Sequence, residues 1–186
     1  DDKTVRVFDA AGQQIWISRL HNARVASVDI SNNGKFVLSG ARDGDVLLAG
    51  AAYEPETTTP VLVRRFRKSD VPIIKVRLDP KVGITDPLEV TAPGSVVGDP
   101  GTDPIKIRLL IADTTNKVTY YDLENTKPMR VRRFDADVVD VDLSSVDQNG
   151  DLTAIVGTKS GVFAYRPQSA DSVGWRLESI PVPYCV

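Results

Sequence analysis

A short strand pattern recurs along this chain. Asp2-Lys3-Thr4-Val5-Arg6-Val7-Phe8-Asp9 alternates apolar Val5 and Val7 with polar Thr4 and Arg6. That is the period-2 signature of a half-buried β-strand entered through a polar turn. Counterparts lie at Gly44 to Gly50, Asn116 to Asp122 and Ser160 to Arg166. With Val5, Val46, Val118 and Val162 taken as equivalent, the spacings are 41, 72 and 44 residues. Two of these fit a repeat of about 40–45 residues, and the third is one repeat plus an insertion. Capped stretches with helical periodicity do not appear, whereas short alternating strands separated by turn residues run throughout. The chain is therefore read as an all-β array of similar units.

Residues 1–18 hold two strands, Thr4–Phe8 and Gln14–Ser18, about the Ala11-Gly12 turn. Residues 23–67 hold four, Val25–Ile30, Phe36–Gly40, Val46–Gly50 and Val61–Phe66, with a hairpin turn at Asn33-Gly34. The alternation puts Val28 and Ile30 on the inward face. Residues 71–134 hold Ile73–Leu78, Ile105–Ala112, Val118–Tyr121 and Met129–Phe134, interrupted by an insertion at 79–104. Residues 137–182 hold Val138–Leu143, Leu152–Gly157, Val162–Tyr165 and Trp175–Ile180, with a turn at Asn149-Gly150. Four antiparallel strands per repeat of this length make blades of a β-propeller, so the expected fold is a propeller segment of about three and a half blades. Only six residues follow Ile180, too few to complete the leading half-blade. The expectation is a part of a larger propeller, which normally has about 4–8 blades, or closure with another chain.

A family resemblance adds to this, most specifically in residues 1–50. Asp2 to Asp9 resembles the third-strand signature of WD-repeat propellers, with Phe8 in the tryptophan position. His21, Val25, Val28, Ile30, Ser39, Asp43, Gly44 and Val46 also fall at WD-repeat spacing. The resemblance implies a structural hydrogen-bonded network of His21, Ser39 and Asp43. Ala49 stands where the family has Trp, and Leu20 replaces the usual Gly before the His. Later, Tyr121 and Tyr165 take the Trp position, and Thr115 and Lys159 the Asp position. Asp9 to Trp16 is similar to the Ala-x-x-Gly-x-x-x-Trp repeat of quinoprotein-type propellers, in which Gly makes a turn and Trp packs between blades. That likeness implies architecture rather than quinone binding.

The chemistry-bearing residues are few. His21 is the only histidine, and no nucleophile, phosphate loop or zinc-protease motif accompanies it, so no catalytic residue and no cofactor are expected. Cys185 is the only cysteine, which excludes an internal disulfide. The formal net charge of -2 and sparse aromatics argue against nucleic acid. No apolar run is long enough for a transmembrane helix. Asp147, Asn149 and Asp151 alternate oxygen donors as a calcium loop does, with a plain hairpin turn as the other reading. Arg64, Arg65, Arg67, Lys68, Arg130, Arg132 and Arg133 sit on outer strands, where charge protects an edge or forms a basic patch for an acidic partner. The insertion carries Val82, Ile84, Leu88, Val90, Val96 and Val97, too many apolar residues for a solvated loop. Val82–Ile84 and Leu88–Val90 read as an added hairpin and as the candidate partner-binding site. The expected function is a non-catalytic scaffold for protein–protein interaction. The alternatives are a secreted or cell-surface propeller, quinoprotein-like or calcium-binding, and a propeller enzyme whose site lies outside this segment. The sequence does not name a compartment; the cytoplasm is favoured slightly over an extracellular or cell-surface setting.

Overall fold

The computed structural model describes residues 2–32, 34–50, 61–67, 70–79, 89–92, 95–97, 107–122, 130–144, 152–167 and 175–177. Three four-stranded antiparallel sheets dominate them. The first is β3 (Val25–Ile30), β4 (Phe36–Ala41), β5 (Val46–Gly50) and β6 (Val61–Arg67), in that order. The second is β7 (Ile73–Leu78), β10 (Arg108–Asp113), β11 (Lys117–Asp122) and β12 (Arg130–Arg133). The third is β13 (Val138–Leu143), β14 (Ala154–Thr158), β15 (Gly161–Tyr165) and β16 (Trp175–Leu177). A two-stranded sheet of β1 (Val5–Phe8) and β2 (Gln14–Ser18) precedes them. A small hairpin, β8 (Glu89–Ala92) with β9 (Ser95–Val97), lies within the insertion. No helix occurs among the described residues.

Turn chemistry repeats with the strands. Lys3, Gly44 and Asn116 occupy one repeat position, and all three are left-handed, with φ of 58°, 83° and 61°. Gly takes this conformation freely and Asn tolerates it, whereas Lys adopts it at a cost. Asp2 Oδ1 accepts the Thr4 N–H at 3.2 Å, and Asp43 Oδ1 accepts the Asp45 N–H at 3.2 Å, so the turn entering β1 has the geometry of the turn between β4 and β5. The connection after each innermost strand is closed alike. Ser31 N–H donates to Phe36 O, Asp79 N–H to Arg108 O and Ser144 N–H to Thr153 O. The insertion thus leaves through the neck that short turns use elsewhere.

The sheets stack face to face through apolar side chains. Phe36, Leu38, Val46 and Leu48 of the first sheet pack with Ile73, Val76, Leu78, Leu109, Ile111 and Tyr121 of the second. Leu110, Ala112, Val118 and Tyr120 of the second pack with Val141, Leu143, Ala154, Val156 and Tyr165 of the third. Gly40 allows the closest approach: a Cβ there would lie 2.6 Å from Ile73 Cγ2 and 2.9 Å from Val76 Cγ1.

One expectation is corrected. Val28 and Ile30 are not interior residues but 50% and 45% exposed. Their equivalents Val76 and Leu78 are 0% and 4% exposed, and Val141 and Leu143 are 1% and 7%. The alternation gives the right face of β3. What differs is the cover, because the β1–β2 sheet is narrower than the sheets that cover β7 and β13.

Candidate interaction surface

His21 is buried and its Nε2 lies 2.7 Å from Ser39 Oγ, which in turn reaches Leu47 O at 3.5 Å. With the hydroxyl proton given to that carbonyl, the imidazole donates from Nε2, and its Nδ1 has no partner among the described residues. Asp43 does not bridge to the ring; its carboxylate closes the turn onto the Asp45 N–H. Burial pushes the His21 pKa down from its ordinary value, with Asp43 and Asp45 pulling it back up. The buried acid here is Asp45, 3.3 Å from Arg65. Sequence reading passed over Asp45, and the Asp43-Gly44-Asp45 run around a left-handed Gly is the signal that marks it.

The inner strands are laced from one sheet to the next. Val76 N–H donates to Ser27 Oγ at 3.2 Å and Leu78 N–H to Asp29 Oδ2 at 2.8 Å, joining β7 to β3. Lys75 Nζ lies 3.2 Å from Asp140 Oδ1 and Arg77 Nε 3.3 Å from Asp142 Oδ1, joining β7 to β13. The outer arginines also serve packing. The Arg132 guanidinium lies 5.4 Å from the centroid of Phe134 and 5.2 Å from that of Tyr165, cation–π range for both rings. Burial pushes the Tyr165 hydroxyl up to about 12.

The insertion is anchored by an ion pair that local reading missed. Asp79 Oδ2 accepts from Arg108 Nε and lies 2.8 Å from Arg108 Nη2, with both side chains nearly buried. The two residues lie 29 positions apart, so no local pattern joins them. A hairpin of β8 with β9 lies in the insertion, and the expected pairing of Val82–Ile84 with Leu88–Val90 falls mostly outside the described residues. Val90 lies in β8, whereas Val82, Ile84 and Leu88 are outside the described residues. Asp147, Asn149 and Asp151 are outside them as well. Among the described residues no cluster of three His, Cys, Asp or Glu could hold a metal ion. No helix there is long and apolar enough to cross a membrane.

What the described surface does present is an apolar cleft of about 440 Å³ between β1 and β3. Val5, Val7, Phe8, Val28, Ile30 and Val37 line it, with Arg6 and Asp29 adding one charge of each sign. Phe8 is exposed along with Val28 and Ile30. β1 bonds to β2 alone among the described strands, leaving its other edge open.

Among solved structures, the chain superposes on the β-propeller domain of Cps50 (Swd1) from Myceliophteria thermophila, with a TM-score of 0.59 over 87% of its length and 20% identity. The fold is a β-propeller segment. The three full sheets are blades in that architecture, and β1–β2 has the strands of a partial one. The chain spans 41% of the length of that propeller chain. No protein-family model and no curated protein matches this sequence.

Proposed function

We propose that this propeller segment is a non-catalytic scaffold of WD-repeat type that makes protein–protein contacts. The observation that carries the reading is the open apolar cleft of Phe8, Val28 and Ile30. Scattered exposed apolar residues are ordinary, but a contiguous set lining a cleft marks a contact site. The polar side chains that could suggest chemistry are engaged in holding strands together: His21 with Ser39, Asp45 with Arg65 and Asp79 with Arg108. The WD-repeat assignment rests on His21, Ser39, Asp43 and the Asp2–Asp9 strand, together with the propeller likeness. A second contact is assigned to the insertion with Val82, Ile84, Leu88 and Val90, which the Asp79–Arg108 pair anchors at its neck.

The test places a photocrosslinking residue at Ile30 in the full chain, in extract of the cells that make it. A discrete protein adduct is expected, and Val28→Glu should remove it without changing the circular dichroism. Absence of any adduct, or an adduct that survives Val28→Glu, would overturn the reading.

A further inference from the structure

The outer strands of the first two blades repeat the run Val-Arg-Arg-Phe, at 63–66 and 131–134, but use its cations differently. In the first blade Arg65 pairs with the buried Asp45 at 3.3 Å. The repeat puts Lys117 where Asp45 stands and Arg133 where Arg65 stands, 72 and 68 residues further on. The opposite charges of the first blade are two cations in the second, and β11 and β12 set them directly opposite each other. Like charges on opposed residues, with Cβ atoms about 5 Å apart, are destabilising. Neither cation has a carboxylate partner among the described residues. Arg132, by contrast, lies over Phe134 and Tyr165, and Arg130 is engaged as well.

The strand that carries Arg133 is also open for pairing. Alternation places Lys117, Val131 and Arg133 on the side of the sheet where Tyr121 meets Phe66 of the first blade, with Arg132 on the other side. Val131 is 52% exposed, and Arg133 is exposed beside it. β12 bonds to β11 alone among the described strands, so its outer edge is free, and complete four-stranded sheets flank its blade on both sides. The β11–β12 ladder has no register shift, whereas the equivalent β5–β6 ladder is shifted twice. Bulges of that kind turn an edge away from further strands. One cation is enough to protect an edge by repulsion; a second set opposite it weakens the blade until an anion arrives.

We propose that β12 receives an extended acidic segment of another protein as a fifth strand of the second blade. The segment runs antiparallel to β12, as β11 does. It sets a Glu or Asp opposite Arg133 and, two positions later, an apolar residue opposite Val131, the period-2 spacing of one strand face. The carboxylate offsets the repulsion between Arg133 and Lys117. The residue between them is neutral, since Arg132 is already held by two rings. Backbone pairing provides adhesion, and the charge provides selection. This inference rests on the scaffold reading and names a partner chemistry on a strand that the cleft does not include.

The probe is a labelled synthetic peptide with Thr-Glu-Thr-Val-Thr at its centre, titrated with the 1–186 protein by fluorescence anisotropy. It should bind saturably and slow amide exchange in Arg130–Arg133. A peptide with Lys in place of that Glu should bind about tenfold more weakly, because it meets two cations. Arg133→Glu protein should reverse the order of the two peptides. Its melting temperature should rise by about 1–3 °C, since Lys117 then faces a carboxylate. Lys117→Glu provides a second variant, which should also weaken the parent peptide. Five results would each overturn the proposal: no saturable binding, equal affinity for both peptides, an unreversed order in Arg133→Glu, no rise in its melting temperature, or displacement of the peptide by an equimolar oligothymidylate. The last would make the patch a polyanion site. Failure here with a Val28-dependent adduct at Ile30 would leave the scaffold reading standing.

Discussion

Trp16 and Ala49 exchange volume across the junction between the leading sheet and the first full blade. Ala49, Tyr121 and Tyr165 are equivalent, being separated by the 72 and 44 residues that separate Val46, Val118 and Val162. Tyr121 meets Phe66 with ring centroids 5.6 Å apart, and Tyr165 meets Phe134 at 6.5 Å. At the first junction the large ring comes from the other side, because Trp16, 2% exposed, shares a cluster with Val5, Val37 and Ala49. Burying an aromatic side chain of about 200 Å² contributes about 5 kcal/mol at about 25 cal/mol/Å². The Cβ that Ala retains and the compactness of the unfolded chain lower this to about 3–4 kcal/mol. Trp16 Nε1 has no acceptor among the described residues, and that unmet donor, costing about 1 kcal/mol or more, disappears with the ring. Trp16→Ala should therefore cost about 2–3 kcal/mol and Trp16→Phe under about 1 kcal/mol. Ala49→Tyr alone should cost about 1–3 kcal/mol by overpacking. The double variant Trp16→Ala with Ala49→Tyr should be more stable than the sum of the singles by at least about 1 kcal/mol. Urea unfolding followed by far-UV circular dichroism measures all four. Additivity within about 0.5 kcal/mol would refute the volume exchange.

Gly40→Ala should destabilise by about 1–3 kcal/mol in the same assay, since its Cβ would displace Ile73 and Val76. Arg108→Met removes the cation that faces the buried Asp79 carboxylate and should cost up to about 3–5 kcal/mol, whereas Asp79→Leu with Arg108→Leu should be milder. The His21 imidazole has a folded pKa below its ordinary 6.5, so the unfolded chain binds the extra proton first. Stability should be full above about pH 6.5 and fall as the pH drops below it, until the folded form also protonates; His21→Gln should flatten that segment of a melting-temperature profile.

Strand positions were legible because the repeat supplies four examples and strands such as β1 and β13 alternate with period 2. The face of β3 was legible from its alternation. The exposure of Val28 and Ile30 was not, since alternation reports which way a side chain points but not what stands opposite it. The His21–Ser39 bond was implied by the WD-repeat resemblance, whereas the failure of Asp43 to reach the ring depends on its carboxylate turning to the Asp45 N–H. Contacts such as Asp79–Arg108 and Lys75–Asp140 join residues brought together only by the stacking of sheets. The roles of Arg65 and Arg132 belong to that class too: their charge was visible, but Asp45 and the two rings that receive them were not.

Val28→Glu in the 1–186 protein tests the central claim most directly, read against Val76→Glu at the equivalent position. If the cleft is an open docking surface, Val28→Glu changes the unfolding free energy by no more than about 0.5 kcal/mol, as for other surface substitutions. It should abolish association at the cleft at the same time, while Val76→Glu, placing an unpaired charge at a fully buried site, unfolds the protein. Destabilisation by Val28→Glu comparable to that by Val76→Glu, or association at the cleft that survives it, would contradict the account.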